Sequence, residues 1–174
     1  MKRLLILWAA LWTVAAASGA TLRIHLIGDS TCATKDLAGE NPERGWGQMF
    51  QPLFDDGVVV RNHALNGRST KSFRDEGHWA EVCEELRPGD YLFIQFGHND
   101  QKLHDSTRYA SPAQYAENVR RYIREARERG ARPVVLTSVV RRHFTGERLD
   151  DTHGAYLDAA RRVAAEEHVP LIDV

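Results

Sequence analysis

Three short polar segments of this 174-residue chain combine the residue types of a hydrolytic centre: Gly28-Asp29-Ser30-Thr31, Asn66-Gly67-Arg68-Ser69 and Gly97-His98-Asn99-Asp100. A serine hydroxyl in an exposed turn becomes a nucleophile once a base removes its proton. A backbone N–H at a glycine and a neutral side-chain amide are fixed donors of the kind that hold the oxyanion formed when a carbonyl is attacked. Ser30 is therefore the candidate nucleophile. The N–H groups of Ser30 and Gly67 and the amide of Asn99 are the candidate oxyanion donors. Each segment has a plainer reading on its own: Gly-Asp-Ser is a common turn, Asn66-Gly67 is ordinary loop chemistry, and Gly-x-Asn-Asp can be a cap. What favours chemistry is their order, each behind its own apolar run.

Those runs read as strands. Leu22 to Ile27 is largely apolar and bounded by Gly28, Val58 to Val60 is a β-branched run, and Tyr91 to Phe96, Pro133 to Thr137 and Val169 to Val174 have the length and apolar content of buried strands. Helical patterns lie between most of them. The clearest spans Ser111 to Arg129, where Ser111 can cap, Pro112 occupies the first turn, Gln114 completes a capping box and Gly130 ends the run. Tyr156, Ala160, Val163 and Ala164 mark a further helix of about three turns before the fifth strand. Alternating strands and helices imply a mainly parallel sheet covered on both faces, a three-layer α/β/α sandwich of flavodoxin-like type. Ligands in such sheets bind outside the carboxyl ends of the strands, where the three segments fall.

The chain outside this domain is short. Met1-Lys2-Arg3 and the apolar stretch Leu4 to Ala17, with small residues at Ser18 and Ala20, read as a secretion signal over residues 1–20, leaving a domain over 21–174 and a secreted or periplasmic location. A retained membrane anchor is disfavoured by the shortness of the apolar run. A net charge of −1 and the absence of a basic block argue against nucleic acid as a partner. The two cysteines, Cys32 and Cys83, leave open whether they pair. The eight histidines are scattered, and neither a CxxC pair nor a clustered His/Cys set supports a structural zinc site.

The three segments, together with Gly45-Trp46-Gly47 and Gly67-Arg68-Ser69, resemble the first conserved blocks of the SGNH (GDSL-type) hydrolase superfamily, most closely its rhamnogalacturonan acetylesterase branch. The resemblance implies a carboxylic ester hydrolase that removes acetyl groups from a pectic polysaccharide through an acyl-enzyme on Ser30. It makes Gly67 and Asn99 oxyanion residues and Asp29 a supporting residue, and it implies no metal, no cofactor and no membrane contact after signal cleavage; a monomer is expected. A lipid-ester or thioester hydrolase of the same fold is the nearest rival, and a non-catalytic flavodoxin-like ligand-binding protein is the reading from another class. His98 and Asp100 either hold the loop that aims Asn99 or contact substrate. Arg141 and Arg142 read either as a solvated pair or as a contact to an acidic sugar.

One block of the superfamily pattern is missing. Its members carry Asp-x-x-His after the last strand, supplying the acid and base of the triad, whereas Val174 falls inside the fifth strand. The expectation is a C-terminally incomplete domain whose acid–base pair lies beyond Val174. Asp150-Asp151-Thr152-His153 matches Asp-x-x-His literally and offers His153 as a less favoured base, since an Asp before a helix is more often a cap.

Overall fold

The computed structural model describes residues 21–174; the leader expected over 1–20 lies outside the described residues. Strands β1 (Leu22–Gly28), β2 (Val58–Asn62), β3 (Tyr91–Gln95), β4 (Arg132–Leu136) and β7 (Leu171–Ile172) form one parallel sheet in the order β2-β1-β3-β4-β7. The order puts β1 between β2 and β3 and so sets the loop carrying Ser30 between those carrying Gly67 and Asn99.

Strand alternation sends residues to two different cores. Ile27, Leu92, Ile94 and Val135 pack beneath helices α2 (His78–Glu85), α3 (Pro112–Glu128) and α4 (Ala155–Glu166). Ile24 and Leu26 face the other side with Phe93, covered by the 3-10 turns Trp46–Met49 and Gln51–Leu53 through Trp46 and Phe50. The sheet thus lies between two helical layers, the second built from single turns. Helix α3 carries the capping box read from the sequence, with Ser111 Oγ accepting from the Gln114 N–H and the Gln114 side chain accepting from the Ser111 N–H. Its buried face, Tyr115, Val119, Tyr122, Ile123 and Ala126, matches the helical periodicity.

The single-turn layer lies outside the sequence reading, and so do two further features. A short helix α1 (Ser72–Asp75) follows the Gly67 loop, and a two-residue hairpin, β5 (Phe144–Thr145) with β6 (Arg148–Leu149), leaves the sheet after β4. Cys32 and Cys83 are free thiols, one in each core.

Candidate active site

Ser30 stands on a sharp turn braced from below. β1 ends at Gly28, where an added Cβ would sit 2.7 Å from the Gln95 carbonyl oxygen of β3, so only glycine lets the two strands approach this closely. The buried Asp29 carboxylate then accepts from the N–H and the hydroxyl of Thr31, both at 2.9 Å, closing the turn around Ser30. Burial raises the Asp29 pKa, opposed by the hydrogen bonds from Thr31 and from the His98 N–H. Asp29 therefore supports the turn, and Ser30 faces an open cleft of about 410 Å³ lined also by Thr31, Lys35, Glu43, Arg44 and Asn66.

On the β2 side, Gly67 has φ +76°, a left-handed conformation that favours glycine. A Cβ there would lie 3.6 Å from the Arg108 guanidinium. Lys35 reaches across the cleft to Asn66 Oδ1 at 2.6 Å, linking the Ser30 and Gly67 loops. On the β3 side, Asn99 is buried and donates one amide hydrogen to the Arg68 carbonyl at 2.9 Å. An amide carries two hydrogens, so the second remains for a ligand. The Ser30, Gly67 and Asn99 loops are brought to one edge of the sheet and tied to each other.

Asp100 is the hidden anchor of this arrangement. Its fully buried carboxyl accepts from the N–H of Thr70 at 3.1 Å and from the Thr70 hydroxyl. Thr70 is held in turn by Asn118 and Tyr122 of α3, the Tyr122 hydroxyl donating to the Thr70 carbonyl at 2.8 Å. Of its two readings, Asp100 takes the loop-holding one. Burial pushes its pKa up to about 7 against the opposing Thr70 hydrogen bonds. Helical periodicity marks Tyr122 only as a core-facing residue and marks Thr70 and Asn118 not at all, because their contacts join residues far apart in the chain.

His98 and His153 form a second cluster beside Asp29. His153 Nε2 lies 3.2 Å from His98 Nδ1, which lies 3.8 Å from the Asp29 carboxylate. Burial first, then nearby cationic side chains, push both imidazoles down to about 4. The literal Asp-x-x-His match makes no dyad. Asp150 instead binds His143 Nδ1 at 3.0 Å and the Thr145 hydroxyl at 2.7 Å within the hairpin. Asp151 accepts from the backbone N–H groups of His153 and Gly154, closing the turn that leads into α4. Arg141 bonds the His98 carbonyl and the Thr152 hydroxyl, making it a loop tie, while Arg142 is exposed. Among the described residues, no side chain hydrogen-bonds the Ser30 hydroxyl.

With this geometry in place, the GDSL-like Lipase/Acylhydrolase family model matches residues 26–174. The chain belongs to that family. Within it, the chain is 45% identical over 154 residues to the rhamnogalacturonan acetylesterase RhgT of Bacillus subtilis, an alignment covering 88% of this chain and 65% of RhgT. It is 37% identical to the probable rhamnogalacturonan acetylesterase YesY of the same organism, covering 87% and 69%. The crystal structure of Bacillus subtilis YxiM superposes with a TM-score of 0.78 at 30% identity, over 88% of this chain and 43% of YxiM. The chain thus spans about two thirds of the length of the two named acetylesterases.

Proposed function

We propose that this family member is a serine acetylesterase acting on an acetylated pectic polysaccharide of the rhamnogalacturonan kind. The observation carrying the reading is the strand order, which sets a half-buried Ser30 at the cleft between the loop of a left-handed Gly67 and the loop of a buried Asn99 with a spare amide hydrogen. The two acetylesterase relatives support the acyl group and the polymer class. In the proposed reaction Ser30 Oγ attacks the acetyl carbonyl carbon as its proton passes to a base. The N–H groups of Ser30 and Gly67 and Asn99 Nδ2 hold the negative oxygen. Collapse breaks the ester bond, the departing sugar oxygen takes a proton, and water then releases acetate from acetyl-Ser30. Each of these steps is acid–base and acyl-transfer chemistry on protein groups, so the proposal calls for no cofactor.

The cleft also suits the polymer. Among the residues lining the cleft with Ser30, Lys35 and Arg44 are cationic and Glu43 is the one carboxylate. An acidic glycan would be attracted there, and the leader expected over residues 1–20 would deliver the enzyme to such a substrate outside the cell.

The test is acetate release from acetylated rhamnogalacturonan, compared with a neutral acetyl ester and a long-chain acyl ester. Acetate from the polysaccharide and no turnover of the long chain supports the reading; preference for the long chain overturns it. Arg44→Ala should raise KM severalfold for the acidic polymer and leave the neutral ester unchanged at low ionic strength.

A further inference from the structure

The histidines that look scattered along the sequence are not all scattered in space. On the helix-bearing face of the sheet, at its β2 edge and away from Ser30, the ligand atoms of His25, His63 and Glu85 lie within 4.8 Å of one another. His25 projects from the middle of β1 and is buried; His63 follows β2; Glu85 ends α2 and keeps about half of its side chain in solvent. His25 Nδ1 is 3.0 Å from His63 Nε2, and His63 Nε2 is 4.0 Å from Glu85 Oε2.

We propose that His25, His63 and Glu85 form a divalent transition-metal site, best suited to zinc, that clips β1, the end of β2 and α2 together. Two imidazoles and one carboxylate are a zinc ligand set, and the exposed side next to Glu85 leaves the fourth position to water. Zn–N bonds of about 2.0–2.1 Å at the tetrahedral angle place two ligating nitrogens roughly 3.3 Å apart. The His25–His63 separation needs to open by only a few tenths of an ångström, and each ring must turn by roughly 35° in their common plane, since the two imidazoles, parallel to within 2°, now aim these nitrogens at each other. Glu85 closes the remaining gap by a side-chain rotation that its exposure permits.

A second observation comes from the far side of the His25 ring. Its Nε2 is buried without a hydrogen-bond partner, although Asp90 Oδ2 stands 3.3 Å away, off the line of a good bond. Asp90 is itself fixed by Arg23 Nε at 3.0 Å and by the Arg87 N–H at 2.8 Å. Ligation through Nδ1 requires the proton on Nε2, and a carboxylate behind that proton is the usual outer support of a metal-bound histidine. The same ring turn that opens the metal site can bring the Nε2–H into line with Asp90. An orphaned ring nitrogen and three neighbouring ligands thereby have one common explanation.

The experiment uses the whole chain, stripped with chelator and titrated with Co2+ and then Zn2+ alone. One Co2+ per chain with the intense visible bands of a four-coordinate ion is expected, displaced by Zn2+. Tm should rise by roughly 5 °C or more at about 100 times the Zn2+ dissociation constant. Glu85→Gln, at an exposed position that does not endanger folding, should weaken binding at least about tenfold, and His63→Gln should abolish the bands. His153→Gln, which removes the other histidine pair, should leave both signals intact. The proposal is overturned if Co2+ gives no such bands, if Zn2+ shifts Tm as much in Glu85→Gln and His63→Gln as in the parent, or if binding follows His153.

Discussion

Asn99 and the Arg68 carbonyl, 31 residues apart in sequence, are joined by a 2.9 Å hydrogen bond from the Asn99 amide nitrogen. That bond fixes the plane of the amide and ties the β3 loop to the residue that follows Gly67. A donor locked before substrate arrives costs no reorganisation when charge develops, which is the condition for strong oxyanion stabilisation.

Asn99→Ala should therefore lower kcat by about 100-fold or more, with a smaller change in KM, because the lost interaction strengthens mainly in the transition state. Steady-state kinetics on a soluble acetyl ester check this. A change confined to KM would make Asn99 a ground-state binding residue.

Asp100 predicts a pH signature in stability. Its carboxyl pKa is raised by burial to about 7, above the 3.8 of the free group, so the folded chain holds a proton that the unfolded chain releases between those values. The native state binds more protons in that window, and this group's contribution to stability falls as pH rises from about 4 to about 7. Asp100→Asn removes the titration. Tm measured across the window should fall with pH more steeply in the parent than in the variant; parallel profiles would contradict the assignment.

His153 should not be the general base. Its ring is buried against His98, and Asp150 is occupied with His143 and Thr145. His153→Gln is expected to cost less than about tenfold in kcat, whereas loss of a true base costs roughly 100-fold or more. A loss on that larger scale, in a variant that keeps its fold, would make His153 the base.

Much of the frame was legible in the sequence because its signals are local. The apolar run ending at Gly28, the Tyr91 strand and the Ser111 capping box each depend on neighbouring residues, and each appears where its pattern places it. The candidate site residues were legible as motifs, since Ser30, Gly67 and Asn99 each follow a strand. What the sequence hid is long-range. The Asp100–Thr70 anchor and the His25–His63 pair join residues 30 and 38 positions apart, and no periodicity encodes such contacts. The single-turn layer from Trp46 to Leu53 was hidden for another reason: turns of three or four residues are too short to show a 3.6-residue pattern.

The central claim, that Ser30 is the nucleophile, is tested most directly by covalent capture. The folded chain would be incubated with a serine-directed organophosphonate and the modified peptide mapped by mass spectrometry. The account predicts one adduct per chain, on Ser30, slowed markedly in Asn99→Ala and absent in a Ser30→Ala variant that keeps the parent Tm. An adduct that persists in Ser30→Ala, or ester turnover retained by that variant, would contradict it.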